Sequence, residues 1–147
     1  MSFQDCITFA NKHPRCYLAT IDEEGWPRVR AMGMWFADEK GFYFSSHNAK
    51  KLYDQIKNNK RVEACYRDPD YDKSLGKILR VSGEIEFVND PALREKLLED
   101  RPFIKDMYGV KSGQDEGPVI FRISKGEAYF WTHDDNIRED EIEKIKF

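Results

Sequence analysis

The sequence predicts a mainly β domain with interspersed helices, its antiparallel strands wound into a closed or nearly closed barrel. Two observations carry this. Short polar turns separate consecutive apolar stretches between Arg15 and Ser45, the mark of an antiparallel meander. Further on, Leu79, Val81, Gly83, Ile85 and Phe87 alternate with Arg80, Ser82, Glu84 and Glu86, the period-two pattern of a half-buried strand. Strands of this number in one small domain hide their edges best by closing.

The elements follow in order. Ser2–Lys12 reads as a helix, with Phe3, Cys6, Ile7 and Ala10 on one face, Ser2 and Asp5 as a capping box, and His13-Pro14 as its end. Arg15–Ile21 is a strand, Asp22-Glu23-Glu24-Gly25 a turn, and Trp26–Ala37 a second strand. Asp38-Glu39-Lys40-Gly41 turns into a third strand, Phe42–Ser45. Ala49, Leu52, Tyr53 and Ile56 mark a helix from Ala49 to Asn58, with Ser46 or Asn48 as its cap. Arg61–Tyr66 is a fourth strand, Asp68–Gly76 a polar loop, and Ile78–Val88 a long strand in which Gly83 suggests a bulge or bend. Asp90 caps and Pro91 opens a helix running to Asp100. Arg101–Glu116 reads as mostly irregular, and Val119–Ser124 with Glu127–His133 as a closing hairpin across Lys125-Gly126. The tail from Asp134 is highly charged and carries no pattern that places it. With no repeat and no linker, residues 1–147 read as one domain of about seven strands and three helices.

Composition excludes several classes of function. The net charge of −3, with no basic stripe, argues against a nucleic-acid binder. No apolar run approaches the ~20 residues that cross a bilayer, and Met1–Asn11 lacks the make-up of a signal peptide, so a cytoplasmic protein is expected. Cys6, Cys16 and Cys65 form no disulfide framework, and with His13, His47 and His133 widely spaced no metal site is expected. Asp68-Pro69-Asp70-Tyr71-Asp72 superficially looks like a calcium loop. Lys73 and Leu79 stand where that loop needs Gly and Glu, so calcium is not expected.

Two segments carry the chemical signal. In Ser45-Ser46-His47-Asn48-Ala49-Lys50-Lys51, two lysines enter the first turn of a helix, where cations oppose the helix dipole unless an anion is bound. In the second strand, Arg28, Arg30, Met32 and Met34 share one face, and an arginine fork suits phosphate. Read singly, the lysines can equally be solvated and the arginines can equally guard an edge strand.

The ordered set is more specific than its parts. It comprises the leading helix, the hairpin ATIDEEGWPRVRAM, the unit GFYFSSHNAKKLYDQIKNNKRV, the strand LRVSGEIEFV and the closing YFWT. In these the chain resembles the flavin-binding split-barrel family related to pyridoxamine 5′-phosphate oxidase, and its short general-stress and nitroimidazole-resistance branches most of all. The resemblance implies an antiparallel split β-barrel of the FMN-binding type, with FMN held across the interface of a homodimer. It implies that Arg30, Lys50 and Lys51 grip the phosphate, and that Ala31, Met32 and Gly33 lie along the isoalloxazine. It further implies that Phe44, Ser45 and Ser46 touch the ribityl chain and ring, and that Trp131 approaches the other subunit's flavin. Core packing is the alternative for Trp131.

The family's oxidase carries a substrate-contacting lysine where this chain has Trp35, and an Arg-x-His element where it has Thr132-His133-Asp134. Turnover of pyridoxamine phosphate is therefore not expected, and the space over the flavin is expected to be apolar and less anion-seeking. The activity implied is that of an FMN-dependent oxidoreductase acting on a small, flat organic substrate. A non-catalytic flavin or electron-transfer module, or a deazaflavin or haem binder in the same groove, is the alternative. No acid, base or nucleophile stands out. His47 reads either as a proton donor beside the flavin or as a solvent-facing loop residue. The apolar run Met32, Met34, Trp35 and Phe36 is expected to be too large for one barrel to bury, and so to favour a C2 homodimer.

Overall fold

The computed structural model describes residues 1–69, 76–109 and 117–147. Along them run α1 (Phe3–Lys12), β1 (Arg15–Ile21), β2 (Pro27–Gly33), β3 (Phe36–Asp38), β4 (Gly41–His47), α2 (Lys51–Asn58) and β5 (Arg61–Arg67). β6 (Ile78–Phe87), α3 (Pro91–Asp100), α4 (Phe103–Tyr108), β7 (Pro118–Trp131) and β8 (Ile145–Lys146) follow. The strands form one antiparallel sheet in the order β2-β1-β5-β6-β7-β4-β3, with β8 beside β7. The sheet curls into a split barrel around a core that includes Leu18, Phe42, Phe44, Tyr66, Leu79, Val81 and Phe121. Cys6, Ile7 and Ala10 of α1 and Leu52 and Ile56 of α2 pack into the same core.

The split has a local cause. The stretch from Trp26 to Ala37 was expected to be one strand and is two. β2 pairs with β1 as far as Gly33, and then the chain changes partner. Met34 N–H donates to the Pro14 carbonyl and Trp35 N–H to the Tyr43 carbonyl, after which β3 pairs with β4. The Met34 side chain turns into the core, and its sulfur accepts from the Tyr66 hydroxyl. The two ends of the sheet are thus neighbours in sequence but belong to different ladders.

The closing hairpin is also corrected. Pro118–Trp131 is one continuous strand, paired with β6 from Phe121 opposite Phe87 to Trp131 opposite Ile78. Gly126, which the sequence places in a turn, sits opposite Gly83 in the ladder. A Cβ on Gly126 would lie 1.9 Å from the Ser82 carbonyl oxygen, and one on Gly83 would lie 2.3 Å from that of Lys125. The glycines mark a close approach of two backbones, and the ladder shifts register next to it, between Glu84 and Ile85. Gly126→Ala should therefore cost about 3 kcal/mol of stability, read as a lowered urea midpoint. An unchanged midpoint would mean that the strands separate freely here.

Two smaller expectations also move. α2 begins at Lys51, its N-cap is Lys50 with no side-chain cap bond, and Ala49 is exposed in a turn where its N–H donates to His47 Nδ1. The segment after α3 holds the short helix α4. Part of the irregular stretch, part of the polar loop and most of the calcium-like segment fall at residues 70–75 and 110–116, outside the described residues. The α1 capping box and the Asp90 cap with Pro91 form as expected. Among the described residues no helix is long and apolar enough to cross a membrane.

Candidate cofactor site

β2 is an end strand of the sheet, and its inward-facing residues pair with those of β1: Arg28 with Thr20, Arg30 with Leu18, Met32 with Cys16. The two arginines have different fates. Arg28 is exposed, and its Nε donates to Asp22 Oδ2 at 2.8 Å. The Asp22 carboxylate also accepts from the Glu24 and Trp26 amides. These bonds hold its carboxyl below the usual carboxylate range, led by that from Trp26.

Arg30 is half-buried, and its partners are neutral. Nη1 donates to Thr20 Oγ1 at 2.7 Å and more weakly to the Leu18 carbonyl at 3.3 Å, and Nη2 donates to Gln55 Oε1 at 2.7 Å. Gln55 Oε1 also accepts from the buried Thr20 hydroxyl at 2.6 Å. Burial without a carboxylate lowers the pKa of the guanidinium. A guanidinium has five N–H donors, so two remain for a ligand.

A cavity of about 820 Å³ is lined by Arg30, Lys51 and Gln55 among others. Lys51 and Gln55 are one helical turn apart and so share a face of α2. Asp22, Glu23 and Glu24 of the β1–β2 turn and Asp54 of α2 line the same cavity. The structure thus brings Arg30 and Lys51 together. It directs Lys50 elsewhere: its Nζ lies 5.6 Å from the centre of the Tyr108 ring, which packs against His47 with centroids 4.5 Å apart.

The remaining predicted residues separate by face and depth. Ala31, half-buried Met32 and Gly33 line a second cavity. Phe44 is fully buried, stacked on Phe121 with centroids 5.3 Å apart, so its side chain belongs to the core. Ser46 is 3% exposed, and its hydroxyl is without a hydrogen-bond partner among the described residues. Trp131 ends β7, four strands from β2 along the sheet.

Other residues emerge only from the fold. Thr20 and Gln55 orient Arg30. Arg101, after α3, donates to the Gly33 and Met34 carbonyls at 3.2 and 2.9 Å and reaches Ser45 Oγ at 3.4 Å. Its neighbour Asp100 accepts from Trp35 Nε1 at 3.0 Å. The end of α3 thus clamps the joint between β2 and β3. No thiol is activated: burial pushes Cys6 up to about 11 and Cys16 up to about 12, and it raises Cys65 as well.

The split barrel agrees with membership of the pyridoxamine 5′-phosphate oxidase family. The chain belongs to that family, whose profile matches residues 4–132. A pyridoxine/pyridoxamine 5′-phosphate oxidase of Allorhizobium ampelinum is 30% identical over 111 residues, covering 76% of this chain and 51% of the relative. The chain thus spans about half the length of that curated relative. Among solved structures, a NimC/NimA family protein of Clostridium acetobutylicum is similar at a TM-score of 0.75 and 26% identity, covering 98% of this chain and 92% of that one. General Stress Protein 26 of Bacillus anthracis shares the fold at 0.72 and 18%, covering 100% of both. HutZ, a haem storage protein of Vibrio cholerae, shares it at 0.61 and 19%, covering 84% and 90%. The fold alone therefore does not choose the cofactor.

Proposed function

We propose that the chain binds FMN at the interface of a cytoplasmic homodimer, and that it serves as an oxidoreductase for a small, flat organic substrate. The observation that carries this reading is Arg30: a half-buried cation with neutral partners and two spare donors, facing one cavity with Lys51. A phosphate dianion would give Arg30 the anionic partner that Leu18, Thr20 and Gln55 do not. FMN, when bound, supplies the electron or hydride transfer. The protein's part is to bind and orient. Thr20 and Gln55 hold the guanidinium, Lys51 adds a second cation, and Arg101 fixes the strand joint beside Gly33. Ser46 offers a buried hydroxyl that still needs a partner. Lys50 joins the phosphate grip only by turning away from Tyr108. The three free thiols suit a reducing compartment.

A visible absorption spectrum of the purified protein tests the cofactor. Oxidised-flavin bands support the reading, whereas a Soret band or a colourless protein indifferent to FMN overturns it. Reduction by NADH or NADPH, then reoxidation by a nitro compound or quinone, separates an enzyme from a passive carrier.

The proposed dimer draws on other residues than the methionine and tryptophan run. Met34 is buried, and Trp35 and Phe36 pack against a second core cluster of Tyr43, Leu97, Leu98, Ile104 and Ile120. The exposed apolar face instead lies on the outer side of β1 and β2, where Tyr17 pairs with Ala31, Ala19 with Val29 and Ile21 with Pro27. Tyr17 is 59%, Trp26 62% and Val29 69% exposed. A patch of this kind on an end strand calls for a partner, and a second copy fits. Native protein should sediment as a dimer at micromolar concentration, and Val29→Asp as a monomer. A native flavin-loaded monomer contradicts the assignment.

A further inference from the structure

The second cavity, of about 800 Å³, lies further along β2 than the phosphate cradle and is walled in part by Ala31, Met32 and Gly33. Its polar lining is cationic. Lys12 comes from the last turn of α1, Arg15 from the start of β1 and Arg67 from the end of β5, and no carboxylate lies among the lining residues. His13 completes the wall. Its side chain is 8% exposed, and its Nε2 has no hydrogen-bond partner among the described residues; Asp68 Oδ2 stands 3.9 Å away, within ion-pair range but beyond hydrogen-bond distance. Buried polar nitrogens are normally satisfied, so this one points to a missing group. The rest of the lining, including Met32, Tyr17 and Cys16, is apolar and suited to a flat ring.

We propose that this cavity binds a planar aromatic carboxylate, its ring against Met32 and its carboxylate toward Lys12, Arg15 and His13. This deepens the proposed function, and rests on it in one respect: if Ala31, Met32 and Gly33 lie along a flavin, the carboxylate ligand is the substrate. The expectation of a less anion-seeking space is then reversed. Trp35 removes one lysine, but α1 and β1 bring Lys12 and Arg15 to the cavity.

The test titrates 4-nitrobenzoate and the neutral 4-nitrobenzyl alcohol into native protein, with and without FMN, by calorimetry. The carboxylate should bind at least about tenfold more tightly than the alcohol. Lys12→Gln with Arg15→Gln should remove that preference by weakening the carboxylate alone, since both side chains are exposed and their loss leaves the core intact. Lys125→Gln, at an exposed site outside the lining, should leave both probes unchanged. Equal affinity of native protein for the two probes overturns the proposal, as does an equal loss in Lys125→Gln. A protein that prefers the carboxylate but takes up no FMN supports the cavity and ends the flavin reading. One that takes up FMN and shows no preference ends the cavity assignment alone.

Discussion

Arg30→Ala is expected to weaken FMN binding by about ten- to a hundredfold, and to leave riboflavin binding as it was. Charge-assisted hydrogen bonds contribute roughly 1.5–3 kcal/mol each when well formed, and each 1.4 kcal/mol is tenfold in affinity. Arg30 can offer two such bonds, and its charge is already withdrawn from water without a carboxylate beside it. Little of the gain is therefore lost to desolvation on binding. Arg28 provides the internal comparison. It lies two residues away on the same strand face, but Asp22 neutralises it, so Arg28→Ala should move the FMN dissociation constant much less. The lysines divide in the same way. Lys51 lines the cavity with Arg30 and Lys50 lies over Tyr108, so Lys51→Ala should cost more than Lys50→Ala. Flavin fluorescence titrations of both flavins into native protein and the four variants decide the matter. Equal affinity of native protein for FMN and riboflavin would remove the phosphate assignment, even if the protein is yellow.

What was legible in the sequence was whatever short-range chemistry determines. α1 with its capping box, β1 residue for residue, and α3 with Asp90 and Pro91 all depend on neighbours within a few positions. The misreadings are places where a distant strand decides. Trp26–Ala37 looks continuous because its composition is continuous; the break comes from Pro14 and Tyr43, which accept the next two amides. Lys125-Gly126 looks like a turn because glycine favours turns. Its real reason is the backbone of Ser82 and Gly83 on the facing strand. The site follows the same rule. Arg30 and Lys51 are conspicuous by type, and Gln55 was within reach, one turn after Lys51. Arg101 gave no local signal, because the groups it holds are 56 to 68 residues away. An exposed apolar face is expected from the methionine and tryptophan run, but the structure puts it on β1 and β2 at Tyr17 and Val29, and only the strand pairing shows that they share a face.

Phe44→Ala should be the most destabilising of these changes, at about 3–5 kcal/mol. Phe44 has no exposed surface and stacks on Phe121 at an interplanar angle of 11°, between two strands that carry the centre of the barrel. Its removal leaves a void that the surrounding β ladders are too rigid to collapse, and so costs the cavity term as well as the transfer term. Against a total stability of ~5–15 kcal/mol for a domain, that is a large share. Urea unfolding should show a lowered midpoint with an unchanged slope. The same variant separates two roles for this position. The family resemblance puts residues 44–46 against the ribityl chain, yet the Phe44 ring points into the core, so only its main chain is available to a ligand. Molecules of Phe44→Ala that remain folded should then bind FMN nearly as tightly as native protein. A variant that keeps its urea midpoint but loses FMN would reverse the assignment and place the ring in the cofactor site.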